Sequence, residues 1–241
     1  MTPTYPSPNV RRRVISAWSV HFFTSLGLVA GFLALLAIID LDISRALLFL
    51  AIALFIDATD GSLARKADVK HWTPQFDGRK LDDITDYLNY TFIPVVFAYR
   101  YGLVTGLAGK VVLGVVLILA AYGFCQTAAK TDDGFFTGFP NFWNVIILYL
   151  YIFHLPPAGN ALILLFFAAL LLAPLKYITH RTRPFHRLTM AILSLFAVTL
   201  FMLGATLPDT PVWLVWLSLF GPIYYLGMSV YLHFTESNGS R

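Results

Sequence analysis

Long apolar stretches, each broken by a short polar connection, set the character of this chain. A membrane span needs about 20 apolar residues at about 1.5 Å rise each. Eight stretches qualify as candidates: 16–39, 44–66, 79–103, 107–129, 141–154, 158–175, 186–206 and 211–233. The fifth is short and begins after Pro140, so a tilted or re-entrant segment, and six or seven full spans, are alternatives. The pattern predicts an all-α, polytopic membrane helix bundle of about eight helices, occupying 16–233 as one domain. Residues 1–15 form a tail or interfacial helix, and 234–241 a C-terminal tail.

Composition agrees, at 58% hydrophobic and 12% charged residues over 241 positions, which excludes an ordinary soluble domain. The placement of charge matters more than the net +4. Arg11 to Arg13, the Arg65–Lys80 connection, Lys130, the Lys176–Arg187 connection and the C-tail alternate with connections poor in basic residues. Basic loops face the cytoplasm. Eight spans then put both termini inside. The apolar run after Arg13 is longer than the h-region of a cleavable signal, so it reads as a retained span. A single cysteine, Cys125, excludes a disulfide framework and a cysteine-rich zinc site, and its apolar surroundings predict a buried thiol.

Against this background four aspartates stand out. Ionised carboxylates at membrane depth are costly, so they mark function by default. Asp57, Asp60, Gly61 and Ala64 lie at i, i+3, i+4 and i+7, on one helical face, with Arg65 next. Gly78, Asp82 and Asp86 lie at i, i+4 and i+8 on the third helix, while Asp83 points about 100° away from Asp82. Side by side, the two faces aim four carboxylates into one cleft. Their repulsion is relieved by one or two divalent cations, and all-oxygen ligation favours Mg²⁺ or Mn²⁺ over zinc. Such ions usually share substrate phosphate oxygens. Gly61, Ala64 and Gly78 clear a groove for a ligand, although small residues also serve helix packing. Arg65 offers a planar fork for phosphate.

The pattern Asp57-x-x-Asp60-Gly61-x-x-Ala64-Arg65, followed by Gly78-x-x-x-Asp82-x-x-x-Asp86, resembles the signature of CDP-alcohol phosphatidyltransferases at every specified position. The resemblance implies a six-helix core plus two helices, a transferase activity in phospholipid biosynthesis, and a site facing the cytoplasm of a bacterial inner membrane. It implies that Asp57, Asp60, Asp82 and Asp86 hold metal and that Asp86 is the general base. Asp57, Asp60, Gly61, Ala64, Arg65 and Gly78 would receive the CDP-linked lipid. A homodimer is also implied.

The twelve residues between Arg65 and Gly78, the length, and the segment Lys130 to Asn144 resemble the members that join choline to CDP-diacylglycerol, releasing CMP. A quaternary ammonium asks for aromatic faces and carboxylates. Tyr87, Tyr90 and Trp143 are candidates for that cage, with Asp132 or Asp133 as counter-charges; interfacial aromatics also serve as membrane belts. Gly138-Phe139-Pro140 resembles a segment of members that use serine, for which Arg181, Arg183 and Arg187 offer basic partners. Of the histidines, His21 lies in the first span and His71, with Trp72, sits in the long connection, where the pair suits a lid. A cation transporter is the reading from another class. Clustering of the acids at one face, with little polarity elsewhere, argues against it and against nucleic acid as a partner.

Overall fold

The computed structural model describes residues 8–126, 135–179 and 185–239. It is built from helices, with one pair of two-residue strands. Helix α1 (Pro8–Ile39) and helix α2 (Ile43–Ala67) form a long antiparallel hairpin. At 1.5 Å per residue the 32 residues of α1 reach about 48 Å. That exceeds a hydrocarbon core of about 30 Å, so the turn bearing Arg11 to Arg13 extends past it. The hairpin turns at Leu41, whose φ is 59°. Asp42 then caps α2 by accepting the Arg45 N–H at 3.0 Å.

Helix α2 stops at Asp68, which adopts φ 49° and donates its N–H back to the Ala64 and Arg65 carbonyls. The long connection is itself folded. It holds the single turn α3 (Val69–Trp72), and Asp77 caps α4 (Gly78–Tyr87) by accepting the Lys80 N–H at 3.0 Å.

The expected single helix over 79–103 is interrupted. After α4 the chain runs through a π-helical turn (Leu88–Phe92) into α5 (Ile93–Arg100). Pro94 explains the change, because it has no N–H for the Tyr90 carbonyl and its ring crowds that carbonyl. The Ile93 N–H bonds instead to the Leu88 carbonyl, five residues back. At its far end, the Arg100 guanidinium donates to the Ile39 carbonyl at 2.9 and 3.2 Å, tying α5 to the end of α1.

Helices α6 (Gly106–Cys125), α7 (Trp143–Phe153), α8 (Pro157–Leu172), α9 (His186–Thr206), α10 (Val212–Ser218) and α11 (Phe220–Gly239) complete the bundle. Strand β1 (Phe136–Thr137) pairs antiparallel with β2 (Lys176–Tyr177). Among the described residues, five helical stretches are long and apolar enough to cross a membrane: α1, α2, α6, α9 and 212–233. With 11 and 16 residues, α7 and α8 are shorter. The core closes around Ala98, Val116, Trp143, Ile147 and Leu164. Phe22, Leu107, Ile118, Leu162 and Trp213 point outward, the reverse of a water-soluble surface.

Another expectation fails. Cys125 is exposed, not buried. The buried stripe of α6 runs through Val112, Val116, Ala120 and Gly123, and Cys125 ends the helix on another face.

Candidate active site

Helices α1, α2 and α4 build the site. Alpha-1 crosses α4 at close range because Gly27 and Gly31 carry no side chain. A Cβ on Gly27 would sit 2.8 Å from Thr85 Cγ2, and one on Gly31 would collide with Asn89 Oδ1. In that gap Asn89 Nδ2 donates to the Gly27 carbonyl at 3.1 Å. The acidic face of α4 is thereby fixed against the hairpin.

Asp57 of α2 meets Asp82 and Asp86 of α4, each contributing an oxygen, all within 4.8 Å of one another. All three are half-buried. Three carboxylates so close repel one another unless a cation lies among them. With no sulfur or imidazole in the set, the donors fit a hard, oxygen-seeking divalent ion.

Asp60 stands apart from these three. It is 6% exposed, and its Oδ2 accepts a hydrogen bond from Thr24 Oγ1 at 2.8 Å. Asp83 faces away and lies 3.9 Å from Arg79. Beside the acids opens a cleft of about 530 Å³. Gly61, Ala64 and Gly78 line it, together with Asp60 and Asp82. Arg65 sits at the exposed end of α2, where its Nη2 donates to Ser62 Oγ at 3.0 Å.

His21 closes one wall. It is 5% exposed, its Nε2 lies 2.9 Å from Thr73 Oγ1, and its ring centroid is 4.4 Å from that of Phe76. A Cβ on Gly78 would lie 2.7 Å from His21 Cε1, so only glycine fits beneath the imidazole.

The aromatic residues fall in three different places. Tyr90 OH donates to Asp57 Oδ2 at 2.6 Å. Tyr87 OH donates to the Leu117 carbonyl at 3.2 Å, and its ring meets Phe124 edge-on. Trp143 is fully buried with its indole N–H on Asn141 Oδ1 at 3.2 Å, which leaves no ring face open to the cleft. Asp132, Asp133, Lys130, Arg181 and Arg183 lie outside the described residues, and Arg187 is exposed at the start of α9. His71 and Trp72 form an edge-on pair in α3, while their neighbours Val69 and Lys70 line the cleft.

Sequence reasoning missed Thr24, Lys70 and Arg79 as parts of this site. Lys70 and Arg79 bring positive charge to the cleft wall beside the acids. Their signal was slight, two cations among several in a connection read as a loop. Thr24 shares a helical face with Gly27 and Gly31, and that spacing was available.

Acids arranged to suit a divalent ion, next to a cleft with cationic and glycine walls, thus sit within a bundle of long apolar helices. The chain belongs to the CDP-alcohol phosphatidyltransferase family, which residues 20–179 match, and it is accordingly a transferase. It is 37% identical to the phosphatidylcholine synthase of Pseudomonas aeruginosa, an alignment covering 89% of this chain and 91% of that protein. Similarity extends to the phosphatidylcholine synthases of Legionella pneumophila, at 36% identity over 97% of this chain and 93% of that protein, and of Borreliella burgdorferi, at 37% over 74% and 77%.

Proposed function

We propose that this chain transfers the phosphatidyl group of CDP-diacylglycerol to the hydroxyl of choline and releases CMP. The observation that carries the reading is the convergence of Asp57, Asp82 and Asp86 beside a cleft walled by Gly61, Ala64, Gly78, Lys70 and Arg79. The names of the relatives supply the acceptor.

Asp57, Asp82 and Asp86 would hold a divalent cation, and Asp60, on the cleft wall, would serve a second. When bound, Mn²⁺ or Mg²⁺ neutralises charge on the diphosphate and on the departing CMP. The protein's own groups do the rest. The glycine and alanine faces let the nucleotide approach the backbone, and Lys70 and Arg79 pair with its phosphates. Asp86 accepts the choline proton as the new O–P bond forms and the P–O bond to CMP breaks. Positioning and charge neutralisation supply most of the rate, as in phosphoryl transfer generally.

The alternation of basic connections with ones poor in basic residues supports eight crossings with both termini in the cytoplasm. On that topology the carboxylates face the cytoplasmic side of a bacterial inner membrane, where choline enters from water while the acyl chains stay in lipid. Family resemblance supports a homodimer.

The test is an acceptor competition. Purified protein given CDP-diacylglycerol, Mn²⁺ and equal labelled choline and serine should form labelled phosphatidylcholine alone. Labelled phosphatidylserine would transfer the reading to the serine-using branch.

A further inference from the structure

We infer that Tyr90 is a positioning residue for the metal centre, held on its target by the π-helical turn that Pro94 enforces. The inference rests on the proposed metal role of Asp57, and it concerns the ion rather than the acceptor.

Three observations converge. First, the Tyr90 phenol donates to Asp57 Oδ2 at 2.6 Å. This is the short range of an O–H···O⁻ bond, about twice as strong as a neutral one. Second, the bond bridges helices: Tyr90 follows Asp86 by one turn on the third helical stretch, whereas Asp57 belongs to α2. It therefore fixes the rotamer of one member of the cluster from the helix that carries the other two. Third, Tyr90 lies inside the π-helical turn, Leu88–Phe92. Such a turn holds one more residue than an α-turn and re-aims the side chains within it. Turns of this kind recur at functional sites because they change direction without ending the helix.

Partners that orient metal-binding carboxylates typically contribute about 10–100-fold in metal affinity. With its hydroxyl committed to Asp57, Tyr90 acts through that carboxylate. A cage wall would act on choline directly, through its ring face.

The experiment compares Tyr90→Phe with Tyr87→Phe in the full-length purified protein. Tyr90→Phe keeps the ring and removes the phenol oxygen. Tyr87→Phe removes a phenol whose partner is the Leu117 carbonyl on another helix. Mn²⁺ is titrated twice, once following thermal stabilisation without substrate and once following turnover, and KM for choline is measured at saturating Mn²⁺. For Tyr90→Phe the Mn²⁺ midpoint should rise about tenfold in both titrations, with KM for choline unchanged. The Tyr87→Phe midpoint should stay at the wild-type value. An unchanged Mn²⁺ midpoint in Tyr90→Phe would overturn the inference, whether or not KM for choline rises. The substrate-free titration does not depend on which alcohol is the acceptor. Failure of the choline assignment therefore leaves this result interpretable, and the reverse also holds.

Discussion

Asp57 and Asp86 come from different helices, and the proposed chemistry depends on how α2 and α4 bring them together with Asp82. Replacing Asp86 by Asn keeps the shape and removes the proposed base. Turnover should fall about 10²–10⁴-fold while the protein still melts cooperatively, as a transfer assay beside a thermal scan will report. Asp57→Asn and Asp82→Asn should also lose turnover, and with it the response to Mn²⁺. Asp83→Asn, directed away from the cluster, should keep the Mn²⁺ midpoint. A second prediction concerns Gly78. Its added methyl in Gly78→Ala would press on an imidazole already held by Thr73 and Phe76, so the ring cannot swing aside. Overpacking of this kind costs about 1–3 kcal/mol, and the first turn of α4 should shift to raise KM for CDP-diacylglycerol. His21→Ala removes the obstruction, so the double variant should regain part of the loss, a non-additivity expected of touching residues. At this scale the aspartates were legible because helical spacing alone puts them on common faces. What spacing could not reveal was the difference among the four. Asp60 turns to Thr24 on α1, a contact that depends on how closely α1 approaches.

Helical elements were easier to foresee than their endings. Apolar runs place α2, α6 and α9 within a few residues, since hydrophobic length is a direct demand of the bilayer, whereas α1 begins at Pro8, ahead of the expected start at residue 16. Alpha-7, Trp143–Phe153, is as short as the run 141–154 implied, but the twelve-residue connection contains the turn α3, held by a left-handed Asp68 that no periodicity announces. The third stretch is the instructive case. Pro94 was visible in it, yet a proline in a membrane helix is compatible with a kink, a break or a π-turn, and neighbouring contacts choose among them. Here α1 packs against the turn through Gly27, Gly31 and Asn89. Pro94→Ala gives residue 94 an N–H for the Tyr90 carbonyl and removes the crowding that sustains the π-turn. The expected result is a Mn²⁺ midpoint displaced in the same direction as in Tyr90→Phe. Combining the two substitutions should add little, because both act through the one bond to Asp57. Full additivity would separate the turn from the cluster.

On the scale of the whole bundle, the carboxylate cluster is a liability that a ligand turns into a clamp. Asp57 lies on α2 and Asp82 and Asp86 on α4, so a shared cation would join the two helices across a boundary that charge repulsion would otherwise weaken. The stretch that carries Asp82 and Asp86 has another, metal-independent support on α1. Asn89 bonds to the Gly27 carbonyl, and α1 and α4 meet where glycine permits. Metal removal should therefore loosen the protein without unfolding it. An ion present at 100 times its dissociation constant stabilises the folded state by about 2.7 kcal/mol. In detergent, Mn²⁺ at that excess should raise the melting temperature, and chelation should return it to the apo value with helical circular dichroism preserved. Asp82→Asn should abolish the rise and, having lost one of three repelling charges, should melt no lower than the wild-type protein without metal. Gly31→Ala should do the opposite, lowering the melting temperature with and without Mn²⁺, because it attacks the packing and leaves the ligands in place. A melting temperature indifferent to Mn²⁺ in the wild-type protein would mean that these acids do not share an ion, and the proposed chemistry would lose its foundation.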